Sequence, residues 1–321
     1  MSTDLARSVR AVADAADATG VVDWDGVAEA AKGATDAGSF TLSTSERAGF
    51  ADDVRAARSG LRETSGVAFP LPDQIEVQNR HHWIDANVAT FTRVMRPLEQ
   101  QGGGLFPGVA RSVNTGTMAV TLSFLARNVL GQYDPLLLAD GDETDHGLYF
   151  VRPNVRRVAT ELDVAYPRFR RWIAFHEVAH AAEFGAAPWL STYLERRMEE
   201  AVESLAEGRF SRETFRELDT AMTAVEGYAE LLMDRAFDGS YADLRRKLDA
   251  RRGGGDPVTR LFRRLLGMGM KRRQYERGAA FFEAVADQTD IETASLVWDA
   301  PENLPSDEEL DDPERWLARV V

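Results

Sequence analysis

Apolar residues recur at three- and four-residue spacing through most of this 321-residue chain, the period that gathers them on one face of an α-helix. Segments 4–17, 24–33, 44–64, 78–100 and 108–131 carry the pattern. Breakers separate them: Gly38, the Pro70 and Pro72 pair, the run Gly102-Gly103-Gly104, and Pro135. Past His146 the texture changes. Leu148 to Val151, then Pro153-Asn154, then Val155 to Ala159 reads as a short strand pair or one bent strand. Helical spacing returns at Pro167, a residue suited to a first helical turn, and holds to about Asp287, with one interruption at Gly253-Gly254-Gly255. No internal repeat is present and the loops are too short to force a boundary. The pattern predicts a mainly α protein with a small β element. It forms a single unit, 1–321, with an N-terminal helical half, 1–135, packed on a C-terminal half, 136–321, that carries the chemistry.

That chemistry centres on His176-Glu177-Val178-Ala179-His180. Residues four apart stack on one helical face, so both imidazoles can address one ion with Glu177 beside them. Phe169, Trp172, Ile173, His176, His180 and Phe184 share the three/four spacing, which predicts both histidines on an inward apolar stripe. Pro188 then stops the helix. The whole chain has five histidines, so two in this pattern around a glutamate point to a metal rather than to ordinary core residues.

A hydrolytic zinc site needs a third protein ligand and an open position. The metzincin extension, a glycine and then a histidine, is absent: Glu183 and Ala186 stand there, and no histidine follows His180. The third ligand is therefore expected to be a carboxylate. On the segment Thr220 to Asp234, Glu226 borders the apolar stripe of Met222, Val225, Ala229, Leu232 and Met233. Gly227 beside it is expected to let this helix approach the histidine helix closely. Glu230 is either a hydrogen-bonding support for a ligating imidazole or, in the other register, the ligand itself with Asp234 behind it. Glu183 is a further candidate. Such a site hydrolyses amides: zinc acidifies water and polarises the carbonyl, and Glu177 moves the proton to the leaving amine. His146, Tyr149 and Tyr228 are candidate oxyanion partners. Leu148 to Val151 reads first as an ordinary structural strand, and alternatively as an edge that pairs an extended peptide. His81 and His82 read as surface or capping residues.

Composition trims the alternatives. The absence of cysteine excludes disulfides, thiolate catalysis and Cys-based zinc sites. A net charge of −14 disfavours whole-surface nucleic-acid binding. Lys32, Lys247 and Lys271 are the only lysines, a balance suited to a salt-rich cytoplasm or to a GC-rich genome. The charge is uneven: Arg245 to Arg277 holds twelve basic residues against three acids, while Asp299 to Glu314 holds eight acids and no base. These segments read as solvated helix faces that attract each other; the alternative is a basic patch for an anionic partner or RNA. No secretory signal or bilayer-spanning run is evident, so a cytoplasmic protein is expected.

Several stretches resemble one family. The Trp172–Leu190 stretch with its HEVAH and PWL, EGYAELLMD at 226–234, VLGQYD at 129–134 and LYFVRPN at 148–154 are similar to the zincin-like metallopeptidase type 2 family. So is the glycine loop followed by LFRRLLGMGMKRRQYERGAAFF. These are hydrolases of actinobacteria and archaea, named chiefly for their motif, and some are encoded beside genes for a deazaflavin coenzyme. The resemblance runs from about Val22 to the end. It implies a mainly helical zincin-like fold, zinc on His176 and His180, Glu177 as acid/base, and Glu226 as the acid of the family's downstream Glu-Gly pair. It supplies no substrate beyond a peptide or small amide. The competing expectation is a non-catalytic metal-binding protein that assists a coenzyme pathway or a protein complex.

Overall fold

The computed structural model describes residues 20–66, 69, 74–96, 107–134, 147–206, 211–237, 239–253 and 272–321. Its elements run α1 (Trp24–Gly33), α2 (Thr44–Ser65), β1 (Gln74–Gln78), α3 (Arg80–Val94), α4 (Pro107–Asn128), β2 (Gly131–Asp134), β3 (Gly147–Val151), α5 (Arg152–Glu161) and α6 (Tyr166–Ala186). Then follow α7 (Trp189–Ala206), α8 (Arg212–Ala236), α9 (Ala242–Gly253), α10 (Arg272–Gln288), α11 (Ile291–Ser295) and α12 (Pro313–Val320). No helix among the described residues is long and apolar enough to cross a membrane.

Local chemistry sets many of these limits. Asp23, Ser43, Asn79, Ser211 and Asp290 cap α1, α2, α3, α8 and α11, each accepting a backbone N–H of the first turn. Gly66 ends α2 at φ +69°, a left-handed conformation that glycine adopts without strain. Prolines open α5 and α6. Pro153 accounts for one departure from the sequence pattern: Val155 to Ala159 is helix, because proline favours a first helical turn as readily as it breaks a strand.

The β element is three-stranded in the order β1-β3-β2, with β1 parallel and β2 antiparallel to β3. β3 is therefore the middle strand with both edges occupied, and the notion of Leu148–Val151 as a peptide-binding edge is overturned. β2 forms one outer edge instead. Alternation sends Leu148 and Phe150 into one core and Val151 into another. The larger core is built from α2 and α5 to α12, the smaller from α1, α3 and α4. Between them, the Gln132 side chain of β2 accepts from Trp83 Nε1 at 2.8 Å and donates to Asn87 at 3.2 Å.

Arginine–carboxylate contacts join α2 to α5 and α6. Glu46 accepts from Arg152 Nε at 2.7 Å and from the Tyr166 hydroxyl at 2.7 Å. Arg170 donates to Asp53 at 2.6 Å. It lies where any side chain on Gly49 would collide with its guanidinium. The expected attraction between basic segment and acidic tail takes one concrete form: Arg277 of α10 binds Asp307 at 2.6 Å and Asp311 at 2.5 Å.

Candidate metal centre

Helix α6 is covered on nearly every side, burying Phe169, Trp172, Ile173, Phe175, Val178, Ala179 and Ala182 among others. His176 and His180 are half-buried, as are Arg171 and Phe184. Of the predicted stripe, Phe169, Trp172 and Ile173 are buried, and His176, His180 and Phe184 are its half-buried members. The two rings meet edge to face at 4.7 Å, and their Nε2 atoms are 3.3 Å apart. Across from them, α8 places Glu226 Oε2 4.0 Å from His180 Nε2. One donor atom from each of His176, His180 and Glu226 lies within 4.8 Å of the other two.

Two further carboxylates close the site. Glu183, fully buried, meets His180 Nδ1 at 2.9 Å through Oε2. Glu177 lies against β2, where its Oε2 accepts the Tyr133 backbone N–H at 3.2 Å. A methyl group at Gly131 would stand 2.5 Å from Glu177 Cγ, so the strand approaches this closely only because the position is glycine. The Tyr133 ring packs on Phe184, one turn beyond His180, at 5.5 Å.

Burial pushes Glu177 and Glu183 each up to about 7. For His180, burial opposes the charged ring, but the Glu183 hydrogen bond and the charges of Glu183, Glu226 and Glu177 outweigh it and raise the imidazole to about 10. The cluster is an environment that favours positive charge. Its donor set suits zinc: bond lengths of about 2.0–2.2 Å in tetrahedral array put ligand atoms about 3.3 Å apart, the separation of the two imidazole nitrogens here. The residues fit the ion.

Other candidates fall elsewhere. Glu230, expected behind an imidazole, ion-pairs with Arg245 at 2.9 Å, and the same guanidinium binds Asp234. The His180 Nδ1 atom is met by Glu183. Gly227 does not face α6. It sits one residue, about 100°, round α8 from Glu226, and any side chain there would strike the Gly278 backbone of α10. Tyr228 is buried among Phe282 and Trp298 with its hydroxyl on Ser295 at 2.6 Å, so it is a core residue and not an oxyanion partner. Tyr149 pairs with Gln132 across the sheet, on the face opposite Leu148 and Phe150. His146 lies outside the described residues. His81 meets the Thr35 carbonyl at 2.7 Å, and His82 lies against the helix-capping Asn79 at 2.9 Å, both as the sequence suggested. Gly131, Tyr133 and the role of Glu183 escaped the sequence reading; Gly131 within VLGQYD was the available signal.

A helical protein that converges two histidines and a glutamate beside an HExxH glutamate is built like a metal-dependent hydrolase. The comparisons agree. The family model described as zincin-like metallopeptidase matches residues 22–209 and 204–317, and the chain belongs to that family. It is also similar to a crystal structure from Chloroflexus aurantiacus, described as an inferred hydrolase with a novel fold. That similarity has a TM-score of 0.76 at 31% identity and covers 93% of this chain and 98% of the other. The curated proteins searched contain no match.

Proposed function

We propose that the protein is a zinc-dependent hydrolase of amide or peptide bonds, with His176, His180 and Glu226 holding the metal and Glu177 as general base and acid. The observation that carries this is the convergence of three donor atoms within 4.8 Å beside a buried glutamate anchored on an edge strand. Zinc, when bound, supplies Lewis acidity that polarises a carbonyl and makes water acidic near neutral pH. The chain's own contribution is positioning and proton transfer. The Tyr133 N–H holds Glu177 Oε2, which fixes the carboxylate and leaves its second oxygen to receive a proton from the attacking water. As the C–N bond breaks, the same oxygen returns that proton to the departing amine.

The test is the zinc content of the purified protein by elemental mass spectrometry, with Glu226→Ala and Glu230→Ala beside the wild type. About one zinc per chain, lost only in Glu226→Ala, is expected. No zinc even after its addition overturns the reading. Zinc with no turnover of any peptide or amide would favour the non-catalytic metal-binding alternative.

A further inference from the structure

We infer that Glu183 is the positioning residue of this centre, holding His180 in the tautomer and ring orientation that turn its Nε2 toward His176 and Glu226. The inference rests on the metal reading above.

A neutral imidazole carries one proton on either of two nitrogens, and only the bare nitrogen can bind a metal. An acceptor fixed at Nδ1 keeps the proton there and leaves Nε2 as the ligand atom. Glu183 provides that acceptor at 2.9 Å. The opposite nitrogen, Nε2, is the one 3.3 Å from His176 and 4.0 Å from Glu226. The ring therefore lies along one line from carboxylate to metal position.

Burial makes a bystander role costly. The Glu183 side chain has 0% exposure, and a carboxylate withdrawn from water without compensation costs several kcal/mol. Its neighbours Ala181 and Ala182 are buried too, so the helix accepts small apolar residues at this depth. The position holds an acid whose Oε2 meets the ligand histidine, with the Ala229 backbone as a further hydrogen-bonding neighbour. Local geometry permits this because residues three apart on α6 share a face. Glu230 is bound to Arg245 and α8 contributes Glu226, so α6 carries both the ligand and its support.

The test compares wild type with Glu183→Gln, Glu183→Met and Glu183→Ala in the full-length protein. Zinc affinity is read by chelator competition, the His180 tautomer by nitrogen-15 NMR of the zinc-loaded protein, and the zinc-induced rise in melting temperature by calorimetry. Glu183→Met fills the volume without an acceptor, so the experiment survives if the alanine variant fails to fold. Expected are a loss of about 10–100-fold in zinc affinity for Met and Ala, with disturbed His180 ring signals. Glu183→Gln, whose amide oxygen can still accept from Nδ1, retains most of the affinity. Wild-type affinity and unchanged ring signals in Glu183→Met overturn the inference and leave the metal reading standing. So does a lower melting temperature without zinc accompanied by an undiminished zinc-induced rise, the behaviour of a purely structural residue. Absence of zinc binding in wild type and variants alike removes the metal reading and this inference with it.

Discussion

The two ends of α6 give their acids different partners. At the N-terminal end, Arg170 meets Asp53 and Arg168 meets Asp243, while Glu46 binds Arg152 beside Tyr166. Each acid there has a guanidinium. About two to four turns on, Glu177 meets a backbone amide and Glu183 an imidazole. The consequence shows in the charges. Burial raises both the Glu46 and the Asp53 carboxyl; bonds to Arg152 and Tyr166 outweigh it for Glu46 and hold that group below its ordinary value, while Asp53 stays above its own although Arg170 counters the burial. Glu177 and Glu183 are pushed by burial up to about 7. Guanidinium carries a fixed charge and leaves no room for another cation. Imidazoles carry an exchangeable proton, so the second arrangement can trade it for a metal ion. One end ties helices together and the other accepts a ligand.

The largest effect that tests this contrast comes from Glu177→Gln. It should lower kcat/KM on a cleaved fluorogenic peptide by about 10²–10⁴-fold with zinc content unchanged. Wild-type turnover in that variant would take Glu177 out of the chemistry and leave it a buried structural acid. Asp53→Ala should act in the reverse sense, costing about 3–5 kcal/mol in urea unfolding because Arg170 stays buried without its partner, while the folded protein keeps its zinc. A cost below about 1 kcal/mol, the value of an exposed pair, would erase the distinction between the two ends. Gly227→Ala sharpens the geometry of α8. The overpacking against Gly278 should cost about 1–3 kcal/mol and spare zinc binding, since Glu226 lies on another face.

The smallest effect concerns acid. Glu46 has a folded pKa below the ordinary 4.5. Its contribution is therefore fully present above pH 4.5 and is lost as pH falls through the lowered folded value. Glu46→Gln should thus be less stable than wild type at neutral pH, with the gap narrowing in acid. A gap that stays constant with pH would show that the Glu46 charge contributes nothing to stability.

Much of the site was legible because it is local. Two histidines four apart with a glutamate between them need only a helix, and the start of that helix at Pro167 could be read directly. The missed features depend on neighbours. GQYD of β2 is a short edge strand with no apolar alternation to mark it, and its glycine has meaning only once Glu177 stands against it. Val155 to Ala159 is β-branched at Val155 and Val158, yet it continues the turn begun by Pro153 and buries those residues on one face. Glu183 was ambiguous because a helix covered on almost all sides shows no periodicity that separates a ligand, a support and a surface acid.

What the sequence determined by itself was the class of fold, the identity of the donor groups and the pairing of His176 with His180. Each follows from composition or from the 3.6-residue turn. Only the tertiary structure decided which acid of α8 stands opposite those rings, which acid holds His180, and that Gly227 looks toward α10. Periodicity gives the angle of a residue about its own helix axis. The neighbour it meets depends on how two helices cross, and that is set by the packing of the whole core.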